Sequence, residues 1–298
     1  MAERTHSPAR SRAFFLAPEA SPAAPHLADE DVEHALRVLR LAAGDRLEGL
    51  DGRGGSLPLR VRSVARGRLD LEAAGPLQRT PEPGQEGSVL PWFELAVAWP
   101  RRSRVEDMLA RLVQLGAAAI RPLAARQRGP EELPEGVSER LQRVAREACK
   151  QSRRRWLPVF EPSLAPAELA AARPISPIAV LDPRAGLSLD TWLRSLSPAP
   201  LATGTRARPI VLVIGPEGGL TEEELEPLET RGASRTWIGP HVLRVETAAE
   251  AAMAVAACVH GRPLSGREEA ALAQGDELSR AHDHVVEERD PEHGPGLA

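Results

Sequence analysis

Ile214-Gly-Pro-Glu-Gly-Gly219 closes an apolar run, and Val242-Leu-Arg-Val-Glu-Thr-Ala248 follows about two dozen residues later. Read together, they place two glycine-bearing turns at the ends of strands, each feeding a helix. Thr221 with Glu224, and Thr247 with Glu250, both fit the Thr-x-x-Glu capping box that opens a helix. Such turns let backbone close around a small molecule outside the carboxyl end of a parallel sheet. The first loop carries a carboxylate and no lysine, and it lacks the Gly-Lys-Ser/Thr that holds phosphate and magnesium. Its spacing is not that of a dinucleotide fingerprint. A neutral or cationic ligand fits it better than a phosphate. Taken alone, the loop also reads as a plain structural turn, and Arg244 with Glu246 as a surface pair of little energetic weight.

Outward from these loops, strand and helix patterns alternate. Phe93–Ala98, Ala118–Pro122, Ile178–Leu181, Ile210–Ile214 and Arg235–Ile238 read as strands. Helical spacing marks Val105–Leu115, stopped by Gly116, and Val137–Ser152, Thr221–Arg231 and Glu246–Val259. Alternation of this kind predicts an α/β domain, residues 91–260, with a mostly parallel sheet covered on both faces. Before it, a strand at Arg12–Leu16, a helix over His26–Arg40 and short strands at Arg46–Leu50, Ser56–Val64 and Arg68–Leu71 predict a small β-barrel domain, residues 12–75. Residues 76–90 read as a Pro/Gly linker. Residues 1–11 and the acidic 261–298 lack apolar periodicity and are expected to be disordered.

Composition narrows the function. In 298 residues, 42% hydrophobic content suffices for a core, while 3% aromatics without tyrosine leaves little for base stacking. The net charge of −4 hides a division: residues 261–298 carry a net −5, whereas Arg101–Arg155 carries a net +7. A basic middle suits a nucleic-acid partner, and solvated helix faces explain it equally well. Only Lys150 among 38 basic residues is a lysine, so an arginine bias runs through the chain. No apolar run is long enough to cross a bilayer, and no secretory signal is evident. Two cysteines are too few for a disulfide framework, which points to a cytoplasmic setting.

The chain resembles the RsmE family of ribosomal RNA methyltransferases, in the SPOUT superfamily, from Arg12 to about His260. The resemblance rests on Arg12-Ala-Phe-Phe15, His34-Ala-Leu-Arg-Val-Leu-Arg40 with Gly44-Asp45, Gln114-Leu-Gly116 with Pro122, Glu147-Ala-Cys-Lys-Gln-Ser-Arg153 with Pro158, and the two loops. It implies a PUA-like N-terminal barrel and a trefoil-knotted C-terminal domain. It also implies a homodimer that uses S-adenosylmethionine to methylate ring nitrogen 3 of one uridine in 16S rRNA of the small ribosomal subunit. The knot loops carried over are Leu181–Gly186, Gly215–Gly219 and Ile238–Leu243. Where the family has a Lys before the first large helix this chain has Arg101 or Arg102, and Gln114 replaces a Glu. Two other readings stay open. One is a SPOUT enzyme acting on tRNA or another rRNA site; the other is a non-catalytic ribosome assembly factor.

The resemblance assigns the residues their roles. Leu181, Gly215, Pro216, Glu217, Gly218, Gly219, Ile238, Gly239, Val242 and Leu243 would hold the cofactor. Uracil N3 is protonated at neutral pH and a poor nucleophile, so the enzyme must remove that proton or stabilise the anion. Arg244 would stabilise charge on a uracil oxygen, and Glu217 or Glu246 would orient the base or take the proton. Arg12, Arg37, Arg40, Arg101, Arg102, Arg104, Arg153, Arg154 and Arg155 are candidate phosphate contacts, adding salt dependence rather than specificity. No metal site is expected: His282, Asp283, His284 and His293 sit in the acidic tail. Cys149 is a weak candidate nucleophile.

Overall fold

The computed structural model describes residues 12–65, 67–126, 139–196 and 204–262, without the side chain of Arg102. Residues 1–11 and the four tail residues just named lie outside the described residues. Two compact units emerge, one of residues 12–51 and 56–78, the other of residues 52–55 and 79–262.

In the first unit, strand β1 (Arg12–Phe15) and helix α1 (Asp29–Arg37) precede β2 (Arg46–Leu50), β3 (Gly55–Ala65), β4 (Arg68–Ala73) and β5 (Gln78–Arg79). β1 pairs with β2 in parallel; β2 with β3 and β3 with β4 are antiparallel, and β5 also pairs with β3. Alternating residues of the strands, such as Leu47, Leu57, Leu59 and Val61, bury against Phe14, Leu27 and Ala35. Asp31 is buried because its carboxylate accepts the Phe15 N–H at 2.6 Å. Helix α1 is shorter than the expected His26–Arg40. Ala28 is its N-cap, and Arg40 adopts a left-handed φ of 51° that ends the segment.

The second unit runs β6 (Phe93–Val97), α2 (Arg102–Leu115), β7 (Ala119–Pro122), α3 (Glu139–Ser152), β8 (Val159–Phe160) and α4 (Pro166–Ala172). It continues through β9 (Ile178–Leu181), α5 (Leu189–Ser195), β10 (Ile210–Ile214), α6 (Glu222–Thr230), β11 (Ser234–Thr236) and α7 (Val245–His260). The strands form one sheet in the order β11-β9-β10-β6-β7-β8, every pair parallel. β6 and β10 are buried along their whole length, which is why β10 reads as an unbroken apolar run and β6 as one broken only by Glu94. On one face Leu169 and Ala170 of α4 and Leu225 and Leu228 of α6 pack on Ala96, Val180 and Val213. On the other, α7 lies on β6 and β10 and packs against α2 and α5, while α3 packs against α2. Gly116 closes α2 with a φ of 99°, a left-handed C-cap that suits glycine.

One charge sits inside the sheet. Glu94 of β6 is fully buried, and its two oxygens accept Arg121 Nε at 2.6 Å and Arg173 Nη2 at 2.7 Å. Arg121 also donates to Glu161 at 3.1 Å and to the Pro162 carbonyl at 2.6 Å.

Several expectations shift. β11 ends at Thr236 rather than Ile238, because Trp237 leaves the ladder: its N–H donates to Leu187 O and its carbonyl accepts from Leu189 N. Helices α4 and α5, seven residues each, and the two-residue β8 are too short to show a period and were not anticipated. Within the expected linker, Gly84 N donates to Leu90 O, and the Ser88 hydroxyl donates to the same carbonyl. Arg262, expected at the start of the tail, is anchored, its guanidinium donating to Ser88 O at 2.6 Å.

Candidate cofactor and active site

A cavity of about 300 Å³ opens at the carboxyl ends of β9, β10 and β11, where open parallel sheets take ligands. Three turns wall it: residues 180–184, 214–220 and 236–243, with Leu225, Val245 and Ala248 behind them. Leu181, Gly215, Pro216, Glu217, Gly218, Gly219, Ile238, Gly239, Val242 and Leu243 all line it, so residues from three distant stretches meet in one place.

Each turn is fixed differently. In the first, the buried Asp182 receives Arg184 N and Nε on one oxygen at 2.9 and 3.0 Å, and Arg184 Nη2 on the other at 3.0 Å. These bonds hold the Asp182 carboxyl below its ordinary range. In the second, Gly219 N donates back to Pro216 O at 2.8 Å, with Gly219 at a left-handed φ of 78°. Helix α6 then starts with the expected capping box: Glu224 accepts Thr221 N at 2.9 Å and Thr221 Oγ1 accepts Glu224 N at 3.3 Å. The other Glu224 oxygen accepts Arg126 N at 2.6 Å.

The third turn departs from expectation. No capping box forms at Thr247. Arg244 is the N-cap residue of α7, extended at φ −66° and ψ 155°, so Thr247 falls inside the first turn and Glu250 pairs with Arg111 at 2.9 Å. No side chain caps α7.

What lines the cavity is mostly apolar, with unspent polar groups among it. The backbone N–H groups of Gly218, Ile238, Gly239 and Leu243 make no hydrogen bond among the described residues. Thr236 Oγ1 is buried without a partner. Glu217 is exposed, with no hydrogen bond or ion pair among the described residues. A side chain added at Gly239 would meet no atom within 4 Å, which leaves that backbone open to a ligand. Apolar walls, free backbone donors and an exposed Glu217 carboxylate beside the Arg184-bound Asp182 suit an aromatic, zwitterionic, sulfonium-bearing molecule.

The three candidate catalytic groups do not stand together. Glu217 is on the cavity wall; Arg244 and Glu246 are not, although Leu243 and Val245 beside them are. Arg244 is exposed, and its guanidinium makes no hydrogen bond or ion pair among the described residues. Glu246 does not pair with Arg244. One of its oxygens accepts Arg104 Nη1 of α2 at 3.1 Å and the other is buried without a partner.

The arginines expected on phosphate divide as well. Arg154 is a correction: its Nη1 donates to Val113 O at 2.8 Å and its Nη2 to Ala117 O at 2.7 Å, tying the end of α3 to the end of α2. Burial lowers its pKa, and its guanidinium is spent on carbonyls rather than presented to solvent. Arg104 is committed to Glu246. Arg37 is exposed and pairs with Glu33 at 2.6 Å; Arg12 and Arg40 are exposed in the first unit, and Arg101 is exposed at the start of α2. Arg153 and Arg155 are half-buried. The side chain of Arg102 lies outside the described residues. Cys149 is buried, and burial pushes its thiol up to about 11, which disqualifies it as a nucleophile at neutral pH. No cluster of three metal-ligating side chains occurs among the described residues, and no helix there is long and apolar enough to cross a membrane.

Sequence reasoning missed Thr236 and Trp237 as wall residues and Arg235 beside them, and placed His241 in a site loop without singling it out. Placing the end of β11 two residues too late hid the first two. An Arg-Thr-Trp at the end of a short strand carries no signal of its own.

Known proteins resemble this chain in sequence and in fold. A family profile described as RNA methyltransferase domain matches residues 88–257. Ribosomal RNA small subunit methyltransferase E of Synechocystis is 31% identical over 229 residues, which is 76% of this chain and 71% of that protein. The Bacillus subtilis protein of the same name is 25% identical, over 74% of this chain and 84% of its own. A Neisseria gonorrhoeae structure of that name, bound to S-adenosyl methionine, superposes with a TM-score of 0.69 at 24% identity, over 84% of this chain and 98% of that one. A Legionella pneumophila protein solved in complex with the bound cofactor SAM superposes at 0.70 and 23% identity, over 86% and 100%. At these identities the two structures speak for the fold. The profile spans more than half of the chain and the Synechocystis protein aligns across most of both sequences, so this chain belongs to the ribosomal RNA small subunit methyltransferase E family of RNA methyltransferases.

Proposed function

We propose that this protein transfers a methyl group from S-adenosylmethionine to ring nitrogen 3 of a uridine in 16S rRNA. The observation that carries the reading is the convergence of three turns on one cavity whose backbone donors are unspent. When bound, the cofactor supplies an electrophilic methyl group on a positively charged sulfur.

Free N–H groups of Gly218, Ile238, Gly239 and Leu243 are the donors available to its polar edges, with Leu181, Ile238 and Leu243 as apolar walls. Glu217 would present a negative charge on the cavity wall, which a bound sulfonium tolerates. Glu217, exposed on the wall, would be the better-placed acceptor for the proton that N3 loses on methylation, since Glu246 is held by Arg104. Arg244, without an internal partner, stabilises negative charge on a uracil oxygen.

The finer architecture follows the family resemblance. We infer a trefoil knot through the three turns, a PUA-like barrel in residues 12–75, an α/β catalytic domain in residues 91–260 and a homodimer working in the cytoplasm. Arg12, Arg37, Arg40 and Arg101, exposed at the surface, are the phosphate contacts this reading favours.

Two measurements test the reading. Calorimetry should show stoichiometric binding of S-adenosylmethionine. Mass spectrometry of rRNA nucleosides from a deletion strain should show loss of 3-methyluridine, restored by the purified protein. Absence of cofactor binding, or an unchanged nucleoside profile, rejects it.

A further inference from the structure

A charged cluster at the edge of the cavity reaches all three of the stretches that carry its turns. Arg235 lies in β11 and is not itself on the cavity wall. Its guanidinium grips Glu229 through Nε at 2.6 Å and Nη2 at 3.1 Å, and Glu222 through Nη2 at 2.7 Å and Nη1 at 3.1 Å. Nη1 also stands 3.8 Å from an Asp182 oxygen.

These partners come from the first turn and from the helix that follows the second, and Arg235 itself adjoins the third. Asp182 opens the first turn. Glu222 begins α6 directly after the second, and Glu229 ends the same helix. Arg235 directly precedes the third. A planar fork that meets two carboxylates in bidentate fashion fixes angles as well as distances, which a lysine cannot do. Isolated surface pairs of this type contribute little. Here one guanidinium, 27% exposed, serves three carboxylates, of which the Asp182 side chain is 9% exposed. One backbone bond runs parallel to it, Asp182 N to Thr236 O at 2.9 Å.

We infer that Arg235 is the positioning residue of the cofactor site: by holding Asp182, Glu222 and Glu229 at once, it sets the spacing of the three turns. The inference rests on the reading of the cavity as the S-adenosylmethionine site. Arg235 touches neither cofactor nor base, so its loss should act on binding of the cofactor rather than on the chemical step.

The test compares Arg235→Ala, Arg235→Lys and Glu222→Gln with the full-length wild type. Arg235→Ala should raise KM and Kd for S-adenosylmethionine about tenfold, with kcat at saturating cofactor within about threefold of wild type. Arg235→Lys should recover part of that loss. Glu222→Gln removes one exposed partner, leaves the fold untouched and should raise KM about threefold, which keeps the test open if Arg235→Ala folds poorly. Amide exchange gives a readout independent of any ligand: residues 182–186 and 237–243 of Arg235→Ala should exchange faster while β6 and β10 stay protected. Unchanged exchange in both segments, or a fall in kcat with KM unmoved, overturns the inference. If the wild type fails to bind S-adenosylmethionine while the exchange response appears, the proposed function falls and the loop-holding role of Arg235 is supported.

Discussion

Two carboxylate–guanidinium clusters in the second unit use the same chemistry in opposite settings. Around Glu94, every charge is within the sheet or against it: Glu94 is fully buried and Arg121 nearly so. Around Arg235, the glutamates reach into solvent, Glu222 with 72% of its side chain exposed. Desolvated ions depend on each other completely, because removing one partner strands a charge in low dielectric. Hydrated ions lose little free energy when separated, and their value lies in geometry. The first cluster therefore bears on whether the sheet forms, and the second on how well its loops are placed.

The comparison breaks first at Glu94. Glu94→Ala should cost about 3–5 kcal/mol of unfolding free energy in urea, since Arg121 and Arg173 lose their buried partner. A loss under about 1 kcal/mol would mean that water or Glu161 takes over and that the buried cluster behaves like the exposed one. Arg244 belongs to neither cluster and sharpens the contrast. Arg244→Ala should lower kcat about 10²–10³-fold, the scale of losing one charge-stabilising donor, with cofactor affinity and urea midpoint nearly unchanged. If cofactor binding collapses instead, Arg244 is structural.

Arg154 provides an intermediate case, a cation whose partners are carbonyls. Arg154→Ala should destabilise by about 2 kcal/mol in the same urea titration, while Arg12→Ala leaves the midpoint unmoved and lowers RNA affinity only. Equal effects on RNA binding with no stability change would return Arg154 to the phosphate-contact group. The smallest effect is in acid. Asp182 and Glu222 are both depressed, Asp182 chiefly by its bonds from Arg184 and Glu222 by those from Arg235. Their stabilising contribution is complete above the ordinary values of 3.8 and 4.5 and is lost as pH falls through the lowered ones. Cofactor affinity should accordingly stay level from neutral pH down to those ordinary values and weaken only below them. An earlier decline would point to a different titrating group.

The two glycine-bearing turns were legible because backbone conformation is written locally: Gly219 sits at positive φ, and Thr221 and Glu224 open α6 as the motif says. The same motif at Thr247 misled. Whether a Thr caps depends on where the helix starts, and Arg244 starts it three residues earlier. The parallel strands showed as apolar runs, and the buried Glu94 went unnoticed among them, because its partners Arg121 and Arg173 come from separate segments. Arg154 was misjudged for the same reason: a basic run on a helix does not reveal which members turn inward. Arg235 has no local signature, since its three carboxylates lie 6, 13 and 53 positions away in sequence.

The strand order also governs how the chain reaches this state. β10 lies between β6 and β9, two strands made well before it, and pairs with both. Until residues 210–214 arrive, β9 has no neighbour, and the edge of β6 that β10 will cover offers unpaired backbone to any passing chain. Assembly by late insertion at the centre is slow, since loop closure must be met before pairing rewards it, and it prolongs the interval in which aggregation competes.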